Sequence, residues 1–411
     1  MTNSPKRFFL ILVMLCATTA CQPEQGIEAP LLLLHSSDEA GTVVKPTNVD
    51  GLPIPVRDEQ RPKAESGKER EEGKFDRFDV RGRYSDIFGT TPPPPRAVRA
   101  LGEFEETSGV LVAWNRGLAR FMVDLIAASL EEADVWVITW DDGESTLVRN
   151  VLTQFGVDTT NLNFFEFPHE SFWTRDFGPV TVVDEDGTPN FIDAQYYRQR
   201  RRDDAIPTLM GRFFNTDVYR PGVATEGGNF MSNGQGFCVV TNWLLQENPS
   251  LTPQELQNIQ KNYYGCEETV VLQRLEGEGT GHVDMFAKFL SANLILVGEY
   301  DRFDPVNAAI LDENVERLER FAGARGWPLE VVRMPMPYGA GGVYRSYTNS
   351  LMVNNRVLVP TYAGDRRYED QALEIYRRVL PAGYEVRAIE SEAVIQLGGA
   401  VHCTTMGFTT P

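Results

Sequence analysis

Apolar positions change character near residue 97. Before it they come in two short blocks, residues 8–15 and 31–34, set in polar and charged sequence that has neither a helical nor a strand period. After it, runs of four to six apolar residues alternate with amphipathic stretches. Residues 109–114 read as a buried strand, 118–132 as a helix with Phe121, Leu125, Ala128 and Glu132 at helical spacing, 135–139 as a strand, Ser145 onward as a helix, and 163–167 as a strand. Such alternation predicts an α/β fold.

A longer period lies over this one. Five times a glycine with polar neighbours leads into a strand, a turn and a second apolar strand or its beginning: Gly178, Gly228, Gly281, Gly341 and Gly398, spaced by 50, 53, 60 and 57 residues. Repeats of that length mark propeller-like arrays. If the units ring one axis, the acid, amide, histidine and cysteine side chains that open them converge at its centre. One catalytic body over residues 97–411 is therefore expected, rather than several domains.

Composition narrows the function classes. The formal charge is −19 with no offsetting basic block, so nucleic acid is excluded as a partner and cationic ligands are favoured. Lys6 and Arg7 ahead of the apolar run 8–15 form a signal-type segment, too short for a bilayer span of about 20 residues. Thr18-Thr19-Ala20-Cys21 is similar to a bacterial lipobox, which would attach the protein to a membrane through lipidated Cys21; plain secretion with cleavage near Ala20 is the other reading. Either makes residues 1–21 an export signal, and the protein an envelope or secreted one. Residues 22–96, with Pro92 to Pro95 at their end, read as a disordered tether.

The body has only three histidines, His169, His282 and His402, and one cysteine set among glycines, Cys403. His282-Val283-Asp284 read as a strand puts His282 and Asp284 on one face, where a carboxylate keeps an imidazolium available as a proton donor. Zinc would want a third nitrogen or sulfur ligand at a second spaced motif; none is present, so no metal and no cofactor are expected. Cys403 is a candidate nucleophile with His282 as its partner, since alternation turns His402 away. Cys238 reads as core, and whether Cys266 pairs with it is open. Arg175-Asp176, taken alone, reads as a structural ion pair. A thiol with carboxylates Asp176 and Asp284, His282 and Asn349 suits a guanidinium, whose planar N–H fork pairs with carboxylates and whose central carbon is electrophilic. A cysteine amidohydrolase and an exported lipoprotein that binds cations without turnover are the alternatives.

Glu226-Gly227-Gly228-Asn229, Gly281-His282-Val283-Asp284, Gly398 to Cys403, and Trp173-Thr174-Arg175-Asp176-Phe177-Gly178-Pro179 resemble the signatures of the agmatine deiminase and Porphyromonas-type peptidylarginine deiminase family over residues 101–408. The resemblance implies a five-bladed, pseudo-symmetric α/β propeller of the pentein kind and a metal-independent guanidino hydrolase. It implies Cys403 as nucleophile, His282 as general acid then base, Asp176 and Asp284 on the guanidinium, Asn349 in the active site, Trp173 as a wall, and Glu226 and Asn229 as pocket support. For the substrate, Arg198 and Arg200 fall where the peptidylarginine enzymes carry an Arg-x-Arg pair. On an extended segment they share a face and could grip a carboxylate. A basic loop paired with Asp203 and Asp204 is the alternative. The tyrosine that those enzymes place before the histidine is absent from Glu278-Gly279-Thr280-Gly281. The expectation is deimination of peptides ending in arginine, with agmatine as the alternative substrate.

Overall fold

The computed structural model describes residues 43–44, 89–197, 199–301, 303–337, 340–363 and 366–411. Its strands form five separate sheets, and one pattern generates them. Two antiparallel strands are followed by a helix and a third strand parallel to the second. In the fifth unit, Leu351–Val353 and Arg356–Thr361 form the hairpin, Arg366–Val379 the crossover helix and Glu385–Glu390 the parallel strand. The fourth repeats it with Ala287–Ser291, Leu294–Glu299, the helix Pro305–Arg325 and Glu330–Pro335. The third uses Met231–Ser232, Phe237–Thr241, Pro253–Tyr264 and Glu268–Leu272; the second uses Val180–Asp184, Pro189–Ile192, Arg201–Phe214 and Val218–Tyr219.

The first unit is completed by the far end of the chain. Met406–Phe408 pairs antiparallel with Gly109–Ala113, which runs parallel to Asp134–Thr139 and through it to Leu162–Glu166. A parallel pair needs a crossover of a dozen residues or more, and this accounts for the helix in every unit. It also accounts for the apolar runs: Gly109–Ala113, Phe237–Thr241 and Arg356–Thr361 are buried at every position, as strands covered on both faces must be.

The strands and helices expected over residues 109–167 stand, with shifted ends. The helix expected from Ser145 starts at Asp142, because Asp141 caps it by accepting from the Glu144 N–H at 2.8 Å. The turn at Asn354-Asn355 is present, with Asn354 in the left-handed region at φ 48°. Two strand readings at the site fail: Val401-His402-Cys403 is a turn, and His282 and Asp284 do not sit on a strand. His282 is extended, and Val283–Met285 is a single 3-10 turn, so the two side chains leave in different directions. Cys238 and Cys266 are joined by a disulfide that closes the third sheet on itself.

The signal-type segment and nearly all of the expected tether lie outside the described residues. Residues 89–96 are described, and they hold to the body: Arg220 donates to Gly89 O at 2.6 Å and Thr91 N–H donates to Arg220 O at 3.0 Å. Among the described residues no helix is long and apolar enough to cross a membrane.

Candidate active site

The opening segments of the five units meet at one point. The second contributes a one-turn helix, Thr174–Phe177, fixed by Thr174 Oγ1 donating to Leu111 O (3.1 Å) and by Arg175 N–H donating to Cys403 O (3.2 Å). It presents Asp176, whose Oδ1 lies 3.6 Å from His282 Nδ1. The third unit brings Glu226, ahead of the turn Gly227–Asn229. Its Oε2 lies 2.8 Å from His282 Nε2, and both side chains are fully buried. Asn229 Oδ1 accepts from Thr241 N–H at 2.9 Å and ties that turn to its own sheet.

Gly228 lies where these two units touch. A Cβ there would stand 2.4 Å from His282 Nδ1 and 3.1 Å from Asp176 Oδ1, so only glycine lets imidazole and carboxylate close against the backbone.

The fifth unit supplies Asn349, which clamps the last segment. Its Oδ1 accepts from Ala400 N–H (3.1 Å) and Cys403 N–H (3.4 Å), while Nδ2 donates to Cys403 Sγ at 3.1 Å. Cys403 is buried in the turn before the closing strand, its Sγ 3.6 Å from Asp284 Oδ2. Trp173 packs against the same turn: a Cβ on Gly399 would touch both Cys403 Cβ and the Trp173 ring. Cys403, His282, Asp176, Asp284, Asn349 and Trp173 are thus brought together as expected.

The partners of these residues differ from the expected ones. Asp284 is hydrogen-bonded to His402 rather than to His282. Its Oδ2 accepts from His402 Nδ1 at 2.6 Å, and His402 Nε2 lies 2.7 Å from Glu103 Oε2. Arg175 does not pair with Asp176; it reaches Glu103 at 2.9 Å, and Lys288 pairs with the same carboxylate. Glu226 is a direct hydrogen-bond partner of the imidazole. Glu103 stands outside the five units and escaped sequence reasoning altogether. Lys288 carried a legible signal, a lysine inside the apolar strand Ala287–Ser291.

The arginine pair departs furthest. Arg198 lies outside the described residues. Arg200 is not on an extended segment: it caps the helix Arg201–Phe214, its N–H donating to Tyr197 O at 2.8 Å. Its side chain is buried, donating to Tyr196 Oη at 3.2 Å with the guanidinium over the Tyr197 ring. Nor are Asp203 and Asp204 solvated: they are buried acceptors of the Glu170 and Tyr196 N–H groups, with the Arg200 charge acting on Asp203.

Burial pushes the Cys403 thiol well above its ordinary range, and the Asp284 and Asp176 carboxylates push it further; the Asn349 hydrogen bond opposes them. Burial alone would raise Asp284, but the hydrogen bond and charge of His402, with His282 and Arg175, hold it below the usual carboxylate range. Glu103 is likewise held well below it, against burial, by Lys288, His402 and Arg175. The arrangement offers a protonated nucleophile flanked by anionic carboxylates, with an imidazole beside them. A planar cation with an electrophilic centre is the ligand that satisfies all three.

Comparison with known proteins agrees. The family model described as Porphyromonas-type peptidyl-arginine deiminase matches residues 99–408. A Legionella pneumophila protein described as "Putative agmatine deiminase" is 27% identical over 261 residues, 60% of this chain and 74% of that protein. One of the same description from Vibrio parahaemolyticus is 25% identical over 77% of this chain and 98% of its own. The agmatine deiminase structure from Enterococcus faecalis superposes with a TM-score of 0.68 at 21% identity, over 76% of this chain and 96% of that one.

Proposed function

Because this chain belongs to the Porphyromonas-type peptidyl-arginine deiminase family and is a hydrolase of guanidino C–N bonds, we propose that Cys403 carries the reaction on a small guanidino substrate of the agmatine class. The guanidinium lies between Asp176 and Asp284. The thiolate of Cys403 adds to the central carbon, and His282 gives its proton to the departing nitrogen, so the C–N bond breaks and ammonia leaves. An S-alkylthiouronium remains on Cys403. His282 then takes a proton from water as the water oxygen attacks; the C–S bond breaks, and a ureido product and the thiolate are released. Guanidinium and water thereby become a urea and ammonium, with no redox step. Such acid–base help contributes about 10²–10⁴-fold.

The observation that carries this reading is the placing of Cys403 Sγ 3.6 Å from Asp284, in a cluster that holds Asp176 against His282. Two findings support the agmatine class over peptides ending in arginine. The relatives compared above are described as agmatine deiminases, and Arg200 is turned into a buried cluster, which leaves the carboxylate grip without one of its arms. The peptidyl reading retains Arg198 and the family's description. Ammonia release from agmatine, free arginine and a peptide ending in arginine decides between them. Agmatine should be fastest and Cys403→Ala inactive on all three; a peptide turned over faster than agmatine restores the peptidyl reading, and an active Cys403→Ala ends the mechanism.

The location reading continues as part of the same proposal: export, with Cys21 as a lipid anchor. The buried Cys238–Cys266 disulfide supports it, since such bonds persist in oxidising compartments. Palmitate labelling that is present in the natural protein and lost in Cys21→Ser is the expected result; no labelling of either removes the anchor.

A further inference from the structure

His402, next to the nucleophile in sequence, takes no part in the steps above, yet both of its ring nitrogens are committed. Nδ1 is 2.6 Å from Asp284 Oδ2 and Nε2 is 2.7 Å from Glu103 Oε2. An ionised carboxylate only accepts, and a neutral imidazole has a single N–H. Glu103 is fixed as an anion by three further donors: Arg175 Nη2 at 2.9 Å, Met352 N–H at 2.8 Å, and Lys288 Nζ. Lys288 is in turn held by Ser350 O at 2.7 Å. With an anion on each side, the ring must donate from both nitrogens.

We propose that His402 is a positioning residue for the guanidinium site: a doubly protonated imidazole, oriented by Glu103 through Nε2, that fixes the charge and direction of Asp284 through Nδ1. The inference rests on the deiminase reading. Its force lies in the two oxygens of Asp284. Oδ2 is occupied by His402 and lies near the thiol, whereas Oδ1 is buried with no hydrogen-bond partner among the described residues. An unsatisfied buried carboxylate oxygen is expensive unless a ligand completes it. Holding Oδ2 decides where Oδ1 points, and so where one guanidinium nitrogen rests. The cluster borders a cleft of ≈ 90 Å³ whose lining includes Glu103, Arg175, Lys288 and His402.

Without His402, Asp284 keeps its burial and its like-charged neighbours. Among the described residues the groups then facing it include His282, Arg175 and Lys288, which favour the anion, and Cys403, which does not. Protonation of Asp284 would then compete with guanidinium binding as pH falls.

The test measures agmatine binding by calorimetry in the Cys403→Ser protein, alone and combined with His402→Ala, His402→Asn or His402→Gln, at about pH 6 and about pH 8.5. His402→Ala should weaken binding about 10–100-fold, more at the lower pH. The Asn amide N–H can stand where Nδ1 stood and should restore binding to within about fivefold; Gln, whose amide falls nearer Nε2, should not. With Cys403 intact, kcat/KM should fall chiefly through KM. Equal behaviour of Asn and Gln, or a loss independent of pH, would reduce His402 to packing and overturn the inference. Should His402→Ala not fold, labelled-histidine NMR of the natural protein decides: a singly protonated His402 ring at about pH 7 also overturns it. A natural protein that deiminates no guanidine is the separate result that sinks the deiminase reading.

Discussion

Gly228→Ala adds one methyl group at the most crowded point of the site, and its effect can be worked out beforehand. The new Cβ would sit 2.4 Å from His282 Nδ1, 3.1 Å from His282 Cε1 and 3.1 Å from Asp176 Oδ1. Gly228 is not among the positive-φ glycines, so the backbone accepts alanine and the effect is steric. An ordinary carbon–nitrogen contact of about 3.5 Å requires roughly 1 Å of movement. Glu226 holds the far side of the ring at 2.8 Å, so the displacement opens the gap between His282 and Asp176. A 1 Å misplacement of a reacting group can cost about 10²-fold, or about 2.7 kcal/mol of transition-state stabilisation. Overpacking costs about 1–3 kcal/mol of stability, which a domain of this size survives. Ammonia-release kinetics beside a thermal melt read both quantities: kcat/KM should fall about a hundredfold while the fold persists. Activity within about threefold of the natural protein would mean that the contact of His282 with Asp176 is not needed, and the assignment of His282 would fall with it.

Two further outcomes concern stability. Replacing both Cys238 and Cys266 by alanine releases a cross-link spanning 28 residues, worth about 3.5 kcal/mol of chain entropy and about 5 °C in melting temperature for a domain of this size; an unchanged melt would show that the disulfide does not constrain the unfolded chain. Burial pushes the carboxyls of Asp193 and Asp203 up to about 7, aided at Asp203 by the Glu170 charge, so the folded protein binds protons there that the unfolded chain has released. Stability should therefore fall as pH rises from about 4 to about 7, and Asp203→Asn should flatten that slope; a melting temperature that rises across this window refutes the burial argument.

The repeat was legible because it is carried by backbone requirements. Each unit needs a turn, a continuous apolar strand and a crossover helix, and all three leave marks in sequence. The meeting of Asp176, His282, Asp284, Asn349 and Cys403 was legible for the same reason, since equivalent positions of equivalent units converge. Which partner each residue takes was not. His282 and Asp284 are two positions apart, and a strand would have paired them; the 3-10 turn Val283–Met285 sends one to Glu226 and the other to His402. Glu103 belongs to no repeat, so no periodicity could place it beside Lys288 and Arg175. Arg200 does not lie on the extended segment expected of it, because the acidic first turn at Asp203 and Asp204 starts a helix directly after it.

The thiol itself gives the last test. Burial, Asp284 and Asp176 keep Cys403 protonated, an unpromising state for a nucleophile. Among the described residues the carboxylates of Asp284 and Asp176 are the charges that disfavour its anion, and they leave a site that attracts a cation. A guanidinium entering between Asp176 and Asp284 offsets those two charges and so favours loss of the thiol proton to solvent. In this low-dielectric site an added charge within about 4–6 Å is enough to move a titration by about 1–3 units. The thiolate should thus form when the substrate cation is bound and be scarce otherwise, which also spares the nucleophile from oxidation. Alkylation rates separate the cases. Neutral iodoacetamide should react slowly with Cys403 near neutral pH, whereas a haloacetamidine, whose cationic head imitates the guanidinium, should react at least about a hundredfold faster. Asp284→Asn should erase that preference, because the amide no longer attracts the cation or raises the thiol. Equal rates for the two reagents in the natural protein would show that the thiol is already ionised at rest, and the account of a thiolate formed on cation binding would be wrong.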